Sequence, residues 1–295
     1  MGLYDRFALI EDVIRDPAFK DFGRLLFPVE KQFYCGEKLE QFTMVFYNYH
    51  DPAKTVEIVN SLKTRSLAGD KVFFDIYSPE EKLEDASKAN TGLFFFRGKP
   101  GAKTAICIAG GGQMFVGAMH DSFPHALELS KLGYNAFALI YRPGAHAMED
   151  MARAITFIFD HADELELDLQ GYSVWGGSAG ARMAAMAGSF RTDQLGAEKS
   201  CPLPGAVIMQ YTGLSEVYGN EPPTFACVGD NDWIANYQVM KERIRKINEN
   251  GTAAEIEVYH GLPHGFGLGT GTAADGWVER AAEFWETQWT GLRTQ

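Results

Sequence analysis

The sequence has 295 residues, of which 46% are hydrophobic and 22% charged, as is ordinary for a soluble globular protein. Its formal net charge of −12 argues against a nucleic-acid partner, because binding to a phosphate backbone depends on clustered Lys and Arg. No apolar stretch approaches the roughly 18 residues that a membrane helix needs, so we expect no membrane partner.

The cysteines are widely spaced and show no metal-ligand pattern; they are Cys35, Cys107, Cys201 and Cys227. Acidic residues interrupt the start of the chain, which therefore does not match a secretory signal. We expect a cytoplasmic protein with reduced thiols that needs neither a metal nor another cofactor.

Residues 1–70 lack the regular alternation of strands and helices that follows them. They are rich in aromatic residues and contain turn signals at Gly23, Pro28 and Gly36. Between Pro52 and Leu67, apolar residues occur at helical spacing. We predict an N-terminal extension that packs on the main domain, where it acts either as a cap or as the interface of a homodimer.

Residues 71–295 alternate short apolar runs with helical patterns. The candidate strands are, in chain order, KVFFDIY, GLFFFRG, TAICIAG, NAFALIY, YSVWG, AVIMQYT, TFACVG and AEIEVYHG. Helical spacing is found in SFPHALELSKLG, in AMEDMARAITFIFDHADEL, between Ile234 and Gly251, and from Trp277 onward. This alternation predicts an α/β fold with a mostly parallel, twisted sheet flanked by helices.

The stretch Gly176-Gly177-Ser178-Ala179-Gly180 lies between the candidate strand YSVWG and an alanine-rich helix. A G-x-S-x-G pattern in this setting indicates a sharp turn that presents the serine as a nucleophile. The alternative is a glycine-rich loop in which Ser178 has no special role. The strand, turn and helix context favours the nucleophile.

A second glycine cluster, Gly110 to Gly112, directly follows the candidate strand TAICIA. We predict that the N–H groups of Gly111, Gly112 and Ala179 form an oxyanion hole for a tetrahedral adduct. A phosphate-binding loop is the alternative, but no Gly-Lys-Ser or Gly-Lys-Thr follows the cluster.

A serine nucleophile requires a histidine base and an acid that orients it. Asp230 and Asp232 both follow the candidate strand TFACVG, and we favour Asp232 as the acid. His264 lies in a glycine-flanked loop after the last strand and is the favoured base. We expect His260, the other candidate base, to be a hydrogen-bonded structural residue on the face of the last strand.

Several further side chains lie beside the proposed catalytic segments. We predict that they line a substrate pocket formed by Gln113, Met114, Tyr211, Trp233 and Phe266. Core packing would explain Tyr211, Trp233 and Phe266 equally well. The remaining histidines lack zinc-ligand spacing and are expected to be structural or solvated; they are His120, His125, His146 and His161.

The segments AGGGQ, GGSAG, GDND and GLPHGFG, in the chain order Ser, Asp, His, resemble the α/β-hydrolase fold family. The resemblance covers about residues 71–295 and is greatest to the acetyl esterase and lipase-like branch that includes acetylxylan esterase relatives. It implies Ser178 as nucleophile, Asp232 as acid and His264 as base. Two features differ: Ala109 stands where many lipases have His, and QYTGLSEVYGNEPPTF is too short for a large lid.

These observations predict a serine carboxylester hydrolase that acts on short-chain acyl esters, with acetylated carbohydrates among its substrates. A serine peptidase or an acyltransferase could use the same triad, because the fold does not determine the leaving group. A binding protein on an inactive hydrolase scaffold would require a missing triad member, and none is missing from this sequence.

Overall fold

The computed structural model describes residues 2–47 and 49–292, with side chains as far as residue 288. Met1, Asn48 and residues 293–295, which the predicted extension and main domain include, lie outside the described residues.

An eight-stranded sheet forms the centre of the described structure, with the strand order β10-β9-β8-β7-β5-β6-β4-β3. Strands β5 to β10 are parallel to one another, whereas β4 runs antiparallel to β6 and β3 antiparallel to β4. A separate antiparallel ladder joins β1 and β2. The strand bounds are β1 (Tyr34–Cys35), β2 (Thr43–Met44), β3 (Phe73–Phe74), β4 (Gly92–Phe96), β5 (Lys103–Ile108), β6 (Asn135–Ile140), β7 (Asp168–Gly177), β8 (Ala206–Gln210), β9 (Thr224–Gly229) and β10 (Ala254–Tyr259).

The α-helices include every helix that the spacing predicts. Their bounds are α1 (Ile10–Ile14), α2 (Pro52–Leu67), α3 (Pro79–Glu84), α4 (Ala118–Asp121), α5 (Phe123–Leu132), α6 (Ala147–Asp160), α7 (Ala179–Ser189), α8 (Tyr237–Glu249) and α9 (Trp277–Leu292). Short 3₁₀ helices span Pro17–Leu26, Lys31–Phe33, Leu39–Gln41, Ala86–Asn90 and Thr192–Leu195. Helix α8 begins at Tyr237, later than the predicted start at Ile234, which is exposed in the preceding loop.

The predicted α/β fold is confirmed, since each candidate strand contributes a strand to the large sheet. The order of the strands also locates a crevice. From β5 the chain moves to β6 on one side and then returns to β7 on the other, so the loops after β5 and β7 diverge. Ligands bind at such switch points, outside the carboxyl ends of the strands.

The N-terminal extension shares its hydrophobic core with the main domain. Val13, Phe19 and Ile58 are fully buried in the same apolar cluster as the sheet. Lys63 and Asp16 form a buried ion pair with 2.7 Å between Nζ and Oδ2. The apolar residues of the extension and of the sheet therefore form one continuous core.

None of the helices among the described residues combines the length and the hydropathy that crossing a membrane requires. Within the same part of the chain, no group of three or more His, Cys, Asp and Glu side chains is arranged to hold a metal ion.

Candidate active site

Ser178 occupies a tight turn between the end of β7 and the start of α7. Its φ of 52° and ψ of −116° lie in a region that residues with a Cβ rarely adopt, and such backbone strain is concentrated at functional sites. A Cβ on Gly176 would overlap the carbonyl of Gly180, and a Cβ on Gly180 would overlap the carbonyl of Ile108. Both glycines are therefore needed for the turn that places Ser178 at the carboxyl edge of the sheet.

Three predicted residues from separate loops meet at this turn. The Oγ of Ser178 lies 3.1 Å from Nε2 of His264, and Nδ1 of His264 lies 2.7 Å from Oδ2 of Asp232. These contacts assign the proton of the neutral imidazole to Nδ1, which donates to the carboxylate. Nε2 is then left to accept the serine hydroxyl, as a general base must.

The carboxylate of Asp232 is completely buried but well supplied with donors. Its Oδ1 accepts the N–H groups of Ile234 at 2.8 Å and Ala235 at 2.7 Å, while its Oδ2 faces His264. Charge-assisted bonds of this kind fix the orientation of the imidazole and stabilise its protonated form.

The other candidates, Asp230 and His260, form a pair at the surface. Nδ1 of His260 lies 2.8 Å from Oδ2 of Asp230, and the side chain of His260 is 97% exposed. Strand β10 ends at Tyr259, so the expectation of a histidine on the strand face is wrong, although the hydrogen bond is present. That bond lowers the pKa of Asp230 below its ordinary value.

The glycine loop after β5 passes directly against the nucleophile. A Cβ on Gly110 would lie 2.8 Å from the Cβ of Ser178. The N–H of Gly110 donates to Oδ2 of Asp121 at 3.1 Å. Within residues 2–47 and 49–292, the N–H groups of Gly111, Gly112 and Ala179 donate to no protein acceptor. These three N–H groups are therefore available to donate hydrogen bonds to an anion, with Ala179 at the positive end of α7.

Two residues predicted for the substrate pocket are buried beneath the His264 loop. Tyr211 is fully buried, and its ring lies 4.7 Å from that of His264 between centroids. Phe266 is 1% exposed and packs edge-on against Tyr211. Both rings thus pack in the core next to the ring of His264, as the core-packing alternative expects, and their place in a substrate pocket stays a prediction.

The remaining pocket candidates lie on the loops around the serine. Oε1 of Gln113 accepts the N–H of Gly144 at 3.1 Å. Met114 is 47% exposed and Trp233 is 72% exposed. These two apolar side chains, next to the oxyanion loop and the acid respectively, are free to contact a substrate.

Sequence reasoning missed the residues that hold the His264 loop. Nε2 of His120 lies 2.9 Å from the carbonyl oxygen of Gly265, and the two residues are 145 positions apart in sequence. The carbonyl of Gly267 accepts from Nε2 of Gln210 at 2.6 Å and from Nε1 of Trp277 at 3.0 Å. No local motif marks His120 and Gln210, because each contacts the loop from a distant element, whereas Trp277 is only ten residues from Gly267.

Comparison with known proteins agrees with this architecture. The model of BD-FAE, an α/β-hydrolase esterase family, matches residues 97–207, a segment that contains the glycine loop and Ser178. No curated protein sequence matches the chain significantly.

Several solved structures share the fold at low sequence identity. The acetyl ester-xyloside bifunctional hydrolase from Caldicellulosiruptor lactoaceticus is 19% identical, with a TM-score of 0.62 over 73% of this chain and 95% of that one. Thermogutta terrifontis esterase 2 phosphorylated by paraoxon is 22% identical, with a TM-score of 0.57 over 66% and 87%. A sugar hydrolase from Lactococcus lactis is 19% identical, with a TM-score of 0.58 over 68% and 96%.

The family match and these neighbours support the prediction of a carboxylic ester hydrolase. The sheet, the turn at Ser178 and the comparisons together show that the chain has the α/β-hydrolase fold.

Proposed function

We propose that the protein is a serine carboxylester hydrolase that acts on short-chain acyl esters through an acyl-enzyme. One observation carries the proposal: a continuous chain of hydrogen bonds runs from Ser178 Oγ through the His264 ring to Asp232, with contacts of 3.1 and 2.7 Å. A serine at a strained turn with a neutral imidazole at its hydroxyl is arranged for nucleophilic attack.

Acylation begins when the Oγ of Ser178 attacks the acyl carbon of the ester. Nε2 of His264 takes the serine proton, and the buried carboxylate of Asp232 stabilises the resulting imidazolium. The same proton then passes to the leaving alcohol as the tetrahedral adduct collapses. Deacylation repeats these steps with water in place of the serine, which releases the acid and restores the hydroxyl.

The negative oxygen of each tetrahedral adduct is bound by backbone amides. The N–H groups of Gly111, Gly112 and Ala179 have no protein acceptor among the described residues, and they belong to the loop after β5 and to the start of α7. Such amides are fixed before the reaction, so they stabilise the developing charge without reorganisation.

Three observations support a small substrate, with an acetylated carbohydrate as the favoured class. The segment between β8 and β9 is short, which argues against a large lid over the site. The exposed indole of Trp233 offers a flat apolar face beside Asp232. Among the structural neighbours, the Caldicellulosiruptor lactoaceticus protein is named as an acetyl ester-xyloside hydrolase.

The test compares p-nitrophenyl acetate, butyrate and octanoate with acetylated xylose, for the wild type and for Ser178→Ala. We expect the wild type to prefer acetate and to release acetate from the sugar. Loss of the nucleophile should lower kcat by about 10⁶-fold, with the far-UV circular dichroism unchanged. Turnover that survives in Ser178→Ala would refute the mechanism, and a preference for octanoate would refute the short acyl group.

A further inference from the structure

The N-terminal extension reaches the active site at Phe46 and Tyr47. A Cβ on Gly265 would lie 2.8 Å from the carbonyl oxygen of Phe46 and 3.0 Å from the Cα of Tyr47. A Cβ on Gly112 would lie 3.4 Å from the ring of Phe46. The extension therefore contacts both the loop of the proposed oxyanion hole and the loop of the proposed base.

Tyr47 also enters a buried hydrogen-bond cluster beneath the oxyanion loop. Its hydroxyl donates to Oδ2 of Asp121 at 2.8 Å, and the same oxygen accepts the N–H of Gly110 at 3.1 Å. The hydroxyl of Tyr211 donates to the other oxygen of Asp121. Asp121 is 2% exposed, so these donors replace the water that the carboxylate loses on burial.

The position of this carboxylate makes its donors important for catalysis. A Cβ on Gly177, the residue before Ser178, would lie 2.6 Å from Oδ2 of Asp121. A buried negative charge this close to the serine would repel the oxyanion of a tetrahedral adduct unless donors balance it. Burial and the charge of Asp121 raise the pKa of Tyr47 well above its ordinary value, so its hydroxyl keeps the proton it donates.

Tyr47 also contacts His120, which holds the loop of the proposed base His264. Its ring lies 4.6 Å from that of His120 between centroids. His120 in turn lies within hydrogen-bond distance of the carbonyl of Gly265, the residue after His264. A single side chain of the extension thus contacts groups that hold both halves of the site.

We propose that Tyr47 is a positioning residue for the oxyanion hole. Through Asp121 it holds Gly110, and with it the N–H groups of Gly111 and Gly112, against Ser178. The inference rests on the proposed esterase function and gives residues 1–70 a part in catalysis.

The first test compares Tyr47→Phe with Tyr4→Phe. Both changes remove a tyrosine hydroxyl that donates to a buried aspartate, because Tyr4 donates to Asp16 within the same extension. Direct loss of an oxyanion donor lowers the rate by about 10²- to 10³-fold. Because Tyr47 acts on the donors only through Asp121 and Gly110, we expect Tyr47→Phe to lower kcat by a smaller factor, about tenfold, with KM nearly unchanged. Tyr4→Phe should lower the melting temperature and leave kcat within twofold. Equal kcat values in the two variants would overturn the proposal.

The second test uses Gly117, which packs against the Tyr47 ring. A Cβ there would overlap the Tyr47 hydroxyl, whereas the φ of −82° at Gly117 accepts alanine without strain. Gly117→Ala should therefore displace Tyr47 and lower kcat by about tenfold. In a Tyr47→Ala background the same change should add less than a twofold effect, because the clash is gone. Additive losses would contradict the role assigned to Tyr47.

Hydrogen exchange separates this inference from the proposed function. Peptides that cover residues 109–117 should exchange faster in Tyr47→Phe than in Tyr4→Phe, whether or not the wild type hydrolyses esters. If the wild type is inactive on esters but the loop loosens, the esterase proposal fails and the positioning role stands. If the loop exchanges equally in both variants, the positioning role is refuted.

Discussion

Two Asp–His pairs lie side by side on the same two loops of this protein, and their contacts have nearly the same length. The Asp232–His264 contact measures 2.7 Å and the Asp230–His260 contact measures 2.8 Å. Their surroundings differ completely. The side chains of the first pair are 0% and 2% exposed, whereas those of the second are 30% and 97% exposed.

The comparison shows that a short Asp–His contact does not by itself make a catalytic pair. Water screens the exposed pair and competes for its hydrogen bonds. The buried pair holds the imidazole in one orientation, and its free nitrogen faces Ser178 Oγ at 3.1 Å. Burial and the serine therefore distinguish two otherwise similar pairs.

The largest expected contrast comes from truncating each histidine. We expect His264→Ala to lower kcat for p-nitrophenyl acetate by about 10⁶-fold, because the serine then has no base. His260→Ala removes a side chain in solvent and should change kcat less than twofold. Comparable losses in the two variants would remove the distinction between the pairs.

The acids should show the next largest contrast. Asp232→Asn should lower kcat by about 10⁴-fold, since the amide cannot hold the imidazole in the required tautomer. Asp230→Asn should leave kcat near that of the wild type. Steady-state kinetics measure kcat for both variants, and circular dichroism checks that both are folded. A larger loss of kcat in Asp230→Asn than in Asp232→Asn would reverse our assignment of the acid.

A change at Gly229 should disturb both pairs together. This glycine ends β9 just before the two acids, and a Cβ on it would overlap the carbonyl of Leu262, which lies between the two histidines. We expect Gly229→Ala to destabilise the fold by about 1–3 kcal/mol and to lower kcat.

Gly213→Ala is the matched control for that change, because nothing lies within 4 Å of a Cβ there. Urea denaturation should give the control a free energy of unfolding close to that of the wild type. If Gly229→Ala is equally harmless, the two loops are not held together as the structure describes.

The smallest effect concerns the pH dependence of the exposed pair. The hydrogen bond from His260 lowers the pKa of Asp230 in the folded state. The pair therefore stabilises the protein above the ordinary Asp pKa of about 4, and the contribution is lost as pH falls through the folded-state pKa. Melting temperatures of the wild type and Asp230→Asn should converge in acid and in 1 M salt. A difference that grows in acid would contradict this account.

Local sequence patterns predicted the sheet and the serine turn for physical reasons. Strands buried on both faces, such as β5 and β6, are near-continuous apolar runs. The turn at Ser178 needs glycines at 176 and 180, because a side chain at either position would overlap the backbone.

Contacts between distant segments could not be predicted in this way. Tyr47 and Asp121 are 74 residues apart in sequence, and Tyr211 and Asp121 are 90 apart, so no local pattern pairs them. The sequence left two roles open for Tyr211, pocket or core, for the same reason: only tertiary packing buries its ring against that of His264. The choice of Asp232 and His264 over their neighbours stays a prediction, which the variants above test.

Labelling with paraoxon tests the central claim most directly. The wild type, His260→Ala and His264→Ala are treated with the organophosphate, and the modified peptide is located by mass spectrometry. The account predicts one phosphoryl group on Ser178 in the wild type and in His260→Ala, with labelling abolished or greatly slowed in His264→Ala. Labelling of another residue, or equal labelling of Ser178 in all three proteins, would contradict it.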